Sequence, residues 1–140
     1  MDFEISDKMK TIIEMVDEFV EKELMPLEAE FLTHDFSEMK PVLEEKRNMV
    51  KKMELWGPQI PEELGGMGLS LLDHGLMSEA IGRTPIGHYV FGCQAPDAGN
   101  IEILHLHGTD EQKEKYLKPL ENKKIRSCFS MTEVDMPGSN

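Results

Sequence analysis

The sequence predicts an all-α fold, a bundle of about five to six helices, with one β-prone run near its end. Three observations lead there. Apolar residues recur at i, i+3, i+4 and i+7 in successive stretches, capping residues open these stretches while Pro or Gly closes them, and only residues 125–131 have strand character.

Ser6 is positioned as an N-cap. From there Met9, Ile12, Ile13, Val16, Phe19, Val20 and Leu24 form one helical face, with Asp17, Glu18, Glu21 and Lys22 opposite. Pro26 is expected to end this helix at about Met25, because the residue before a proline is pushed out of the α region. A second helix starts near Ser37 and carries Met39, Val42, Leu43, Met49, Val50 and Met53 inward, which places Pro41 in its first turn. The basic cluster Lys46, Arg47, Lys51 and Lys52 reads as a solvated face.

The segment from Trp56 to Gly68 is dense in helix breakers, yet Pro61-Glu62-Glu63 suits one helical turn closed by Gly65. Gly65, Gly66 and Gly68 make no dinucleotide fingerprint, since no strand precedes them and the spacing is wrong; they read as a turn of close backbone approach. Ser70 caps a helix to about Gly82, in which Leu72, Leu76, Ala80 and Ile81 are apolar and Gly75 is expected to permit a close helix contact. Arg83-Thr84-Pro85 ends it, and Ile86 to Pro96 reads as a loop or broken helix.

Asp97 is placed to cap the next helix, whose Ala98, Ile101, Ile103, Leu104 and Leu106 are apolar nearly all round, so that helix is expected to be central. Ala95, Ala98 and Gly99 leave room at its start, for a ligand or for a neighbouring helix. His105 and His107 stand roughly 200° apart on a helix and cannot act together as ligands. Thr109-Asp110-Glu111-Gln112 is a capping box opening a helix from Asp110 to about Glu121. A single strand at Ile125–Met131 would lack partners for its N–H and C=O groups, so the polypeptide reads as the front part of something larger.

With 140 residues, the chain can bury about two thirds of its unfolded surface. A net charge of −12 opposes long-range attraction to nucleic acid or anionic membranes, and no apolar run approaches the length of a membrane span. The first residues, Met-Asp-Phe-Glu, resemble no leader, and the protein reads as cytoplasmic. Cys93 and Cys128 form no CxxC pattern and are expected to be reduced, buried thiols, with no metal site. Most of the 11 methionines fall at helical core spacing.

Three pieces, in order, resemble the N-terminal part of a flavin-dependent acyl-CoA dehydrogenase. They are Trp56-Gly57 through Ile60-Pro61-Glu62-Glu63-Leu64-Gly65-Gly66-Met67-Gly68, Gly108-Thr109-Asp110-Glu111-Gln112-Lys113 to Tyr116-Leu117, and Met131-Thr132-Glu133 with Gly138-Ser139-Asn140. The run Gln94-Ala95-Pro96-Asp97-Ala98-Gly99-Asn100 resembles the long-chain branch. The resemblance implies an orthogonal helical bundle over residues 1–122 and the first strand of a following, truncated β domain over residues 123–140. It also implies FAD, an acyl-CoA substrate, an electron-transfer flavoprotein or similar acceptor, and a homodimer or homotetramer.

In the implied reaction a carboxylate removes the α proton while the β hydride passes to the flavin. That base belongs to the C-terminal domain, so no residue of this chain takes it. The resemblance places Phe129, Ser130, Met131 and Thr132 along the flavin, with the Thr132 amide and hydroxyl at the pyrimidine edge. Ser139 matches a serine near the pyrophosphate and thioester, binding cofactor and substrate, and Glu133 is structural. Phe91 to Asn100 would help line the acyl cavity. The chain departs from the family at Val134, where proline is usual, and at Pro137-Gly138. A different class of function is an acidic helical module that binds a protein or lipid without catalysis. A third keeps the fold with acyl-CoA oxidase or nitroalkane oxidase chemistry.

Overall fold

The computed structural model describes residues 4–122, 124–132, 134 and 135. The chain divides into two compact units, Met1–Gln94 and Ala95–Asn140. Among the described residues the regular structure is entirely helical.

In the first unit, α1 (Asp7–Phe19) begins where Ser6 accepts the Met9 N–H at 3.2 Å. It does not stop at Pro26. The helical path continues through a π turn (Val20–Leu24), a 3₁₀ turn (Met25–Leu27) and α2 (Glu28–Phe31). Proline at 26 has no N–H for the Lys22 carbonyl. The π turn widens the spiral immediately before it, with the Met25 N–H reaching back to the Val20 carbonyl, and the chain passes the proline while staying helical.

α3 (Phe36–Lys52) opens on a capping box between Asp35 and Glu38, and Pro41 therefore lies in the second turn, inside the helix, not in the first. α4 (Leu71–Ile81) is capped as expected by Ser70, which accepts the Asp73 N–H at 3.1 Å. The broken segment resolves into a short α5 (Gly87–Phe91) closed by Gly92 in the left-handed region, its φ at 77°. Pro61 to Gly65 forms the expected single turn, with Gly65 at φ 80°. At Gly66 a Cβ would meet the Ile60 carbonyl oxygen at 2.1 Å, so the close approach read from the glycines is real.

The apolar stripes of these helices meet in one core. Val16, Val20, Leu24, Leu43, Val50, Met77, Ile81, Val90 and Phe91 are fully buried in it. Each contributes about 1.5–3 kcal/mol relative to exposure. α1 packs on α4 and α3 on α5, and the Phe19 and Phe91 rings meet edge to face at 5.7 Å.

Arg47 corrects the reading of its cluster as a solvated face. It is 5% exposed, its guanidinium lying 4.4 Å from the Tyr89 ring centroid and 5.0 Å from that of Trp56. It donates to the Tyr89 hydroxyl at 2.9 Å and to the Glu44 carboxylate. A guanidinium is weakly hydrated and flat, so it stacks where an ammonium would not. Lys46 likewise pairs with Glu23 at 2.6 Å. Gly75 also differs from expectation: it is exposed, with nothing within 4 Å of where a Cβ would stand, because α4 turns its other side inward.

The second unit holds α6 (Asp97–His107) and a helical run from Asp110 to Glu121 made of α7 (Asp110–Gln112), a π turn (Lys113–Leu117) and α8 (Lys118–Glu121). The capping box read from Thr109 and Gln112 is formed in both directions. Pro119 is again preceded by a π turn, the same accommodation as at Pro26. Ile101, Leu117 and Leu120 are buried, whereas Ile103 and Leu106 are exposed, so α6 is not the enclosed central helix its composition implied. The β-prone run forms no strand: residues 126–132 are irregular, since among the described residues no second strand offers a ladder. Of the two thiols expected to be buried, Cys93 is half-buried and Cys128 is exposed.

Candidate functional site

The chemistry-bearing segment of the second unit is residues 127–132, lying against the first turn of α6. Asp97 is the pivot. It does not cap its own helix, whose N-cap is Pro96 without a side-chain bond. Instead its Oδ1 accepts from the Ser127 N–H at 2.9 Å and the Ser127 hydroxyl at 2.7 Å. One turn on, the Asn100 side-chain amide donates to the Cys128 carbonyl at 3.5 Å. Between them Gly99 leaves the helix surface bare, and the Phe129 ring occupies that space, 3.6 Å from where a Cβ would stand. The room read from the small residues is thus taken by a side chain of the same chain.

Beyond this seat the four residues read as flavin contacts are all exposed. Phe129 is 50% exposed and Met131 62%, and Ser130 and Thr132 are exposed as well. Among the described residues no hydrogen bond engages Ser130, Met131 or Thr132. The segment 127–132 carries no charged side chain. It therefore offers neutral N–H and O–H donors flanked by apolar surface, a donor set that fits the polar edge of a flat ring system. Ser139, the fifth candidate, and Glu133 lie outside the described residues.

Burial raises the Glu121 carboxyl above the usual carboxylate range, and His105 and Lys118 partly oppose that. Among the described residues no cluster of His, Cys, Asp and Glu could hold a metal ion. Among the described residues no helix is long and apolar enough to cross a membrane.

Asp97, Asn100 and Ser127 were not legible as a set. The sequence separates Asp97 from Ser127 by 30 residues and assigns Asp97 a local capping role. Only the smallness of Ala98 and Gly99 signalled that something approaches α6 there.

The family model for the acyl-CoA dehydrogenase N-terminal domain matches residues 6–124. The chain is 39% identical to acyl-CoA dehydrogenase family member 11 of Gallus gallus over 143 aligned positions, covering 96% of this chain and 18% of that protein. It is 34% identical to acyl-CoA dehydrogenase family member 10 of Mus musculus, covering 97% of this chain and 14% of that one. A solved structure described as a putative acyl-CoA dehydrogenase from Mycobacterium abscessus superposes with a TM-score of 0.87 at 36% identity, over 99% of this chain and 37% of its own. The chain thus spans well under half the length of each of these relatives.

Proposed function

The chain belongs to the acyl-CoA dehydrogenase family, whose N-terminal domain it spans, and on that premise we propose that it serves an FAD-dependent α,β-dehydrogenation of acyl-CoA thioesters. In this reading residues 1–122 are the helical domain and residues 123–140 begin the β domain. The observation that carries it is the neutral, exposed segment 129–132, which follows directly on the residues fixed to α6.

FAD, when bound, supplies the hydride acceptor. This chain's own part is to bind and orient. The Thr132 N–H and hydroxyl would hold the pyrimidine edge, where donors favour the negative charge of the reduced ring. Phe129 and Met131 would cover it with apolar surface that excludes water, Ser130 would add a donor, and Ser139 would reach the pyrophosphate and thioester. The base that takes the α proton is not assigned to these residues. An electron-transfer flavoprotein or similar acceptor, a homodimeric or homotetrameric assembly and a cytoplasmic location complete the proposal.

The test uses the longest product of the reading frame that contains these residues. It is expected to purify with a flavin absorbance band that an acyl-CoA bleaches under anaerobic conditions, while the 140 residues alone retain none. A colourless product, or a band that no acyl-CoA bleaches, would overturn the reading. A helical binding module without catalysis draws its support from one place: Leu71, 89% exposed, Leu72 and Leu76 line an open groove on α4. A colourless, folded product would favour it.

A further inference from the structure

We propose that Asp97 and Asn100 are positioning residues that set the flavin-contacting segment, the first turn of α6 acting as the seat on which residues 127–129 are fixed so that residues 130–132 are presented. This rests on the reading of residues 129–132 as flavin contacts.

Three features of the seat carry the inference. The Asp97 carboxylate takes both donors of Ser127, main chain at 2.9 Å and side chain at 2.7 Å, which fixes the residue's backbone and its rotamer together. Hydrogen bonds to an ionised acceptor are about twice as strong as neutral ones. Asn100, on the same helical face, holds the next carbonyl at Cys128, and Phe129 fills the strip left by Gly99. Three consecutive residues are thus held, and the contacts stop where the donor-bearing residues begin.

An aspartate at the start of a helix ordinarily serves its own N-terminus. Here that helix has no side-chain cap, and the carboxylate is turned to a segment 30 residues away. Irregular backbone has no ladder to order it, so the direction in which residues 130–132 leave depends on this clasp.

The experiment has two arms. In the chain itself, amide exchange at Ser127 reports the clasp without any cofactor. Asp97→Ala is expected to accelerate it by about tenfold or more, the loss of a hydrogen bond to a charged group. Asp97→Asn, which keeps an acceptor oxygen, and Ser127→Ala, which removes one of the two donors, are expected to fall between. Exchange at Leu104 to His107 in the same helix is expected to stay unchanged, so unfolding is recognised if it occurs.

In the flavin-loaded full-length product, Asp97→Ala is expected to speed flavin dissociation about tenfold and to shift the flavin absorbance band, with Asp97→Asn restoring most of both. A wild-type Ser127 amide that exchanges as fast as free peptide overturns the clasp. Faster exchange with flavin retention and spectrum unchanged leaves the clasp real and overturns its positioning role. A wild-type product that binds no flavin overturns the underlying reading and the positioning role with it, a result distinct from either.

Discussion

The two units solve the problem of holding a backbone in opposite ways. The first, Met1–Gln94, gathers the faces of four helices into a continuous apolar core, and even its buried cation, Arg47, is sandwiched between aromatic rings. The second, Ala95–Asn140, buries three large apolar side chains in its helices and fixes its irregular segment with directional polar contacts from Asp97 and Asn100. Its apolar residues Ile103, Leu106, Phe129 and Met131 stand exposed. Burial is strong and non-directional; hydrogen bonds are weaker in net energy but set orientation. The first unit is held mainly by burial, and the irregular segment of the second by directional contacts.

The largest test of this contrast lies in the core. Phe91→Ala removes a fully buried ring that meets Phe19 edge to face. It is expected to cost about 3–5 kcal/mol in urea unfolding monitored through the first unit. A loss under about 1 kcal/mol would mean that the core is far looser than its packing indicates.

Arg47 gives a smaller, more discriminating test. Truncation in Arg47→Ala is expected to cost about 2–3 kcal/mol, because it empties the space between the Trp56 and Tyr89 rings. Arg47→Met fills that space without a charge, and the Tyr89 hydroxyl keeps its bond to Glu44 at 3.0 Å. Its expected cost is about 1 kcal/mol or less, because the Glu44 carboxylate that loses its partner is 40% exposed and stays hydrated. Equal losses for the two variants in denaturant titration would show that the charge, not the packing, matters here.

The smallest effects concern pH, and the two units should respond with opposite sign. Burial, with His88 adding to it, lowers the His74 pKa below its ordinary 6.5. Its folded pKa is depressed, so the unfolded chain binds more protons below that value, and stability is lost as pH falls through that window. Glu121 is raised by burial from an ordinary 4.5. Stability is then greatest below that value and is lost as pH rises through the folded pKa. Thermal melts of Glu121→Gln are therefore expected to exceed wild type near neutral pH and to converge with it in acid. A constant offset across the range would remove this assignment.

Much of the fold was readable because its signals are local. Ser6, Ser70 and Thr109 each bond an N–H three residues on, and such motifs depend on neighbours alone. Gly65 closed its turn for the same reason. The failure at Pro26 came where a local rule met a wider compensation: the proline breaks an α ladder, yet a π turn before it lets the helix continue. The candidate segment was legible as residues, Phe129 to Thr132, but not as an arrangement, because nothing near Ser127 in sequence announces Asp97.

What the sequence by itself determined is the helical class, the caps and turns, the apolar stripes and the family to which the chain belongs. All of these are written in spacings of a few residues or in whole motifs. Tertiary structure alone decided that Arg47 is interior, that Gly75 is bare, that Asp97 accepts from Ser127, and that Phe129 fills the gap at Gly99. Those choices follow from which surfaces meet once helices are placed, and a contact between residues 30 apart has no periodicity from which to read it.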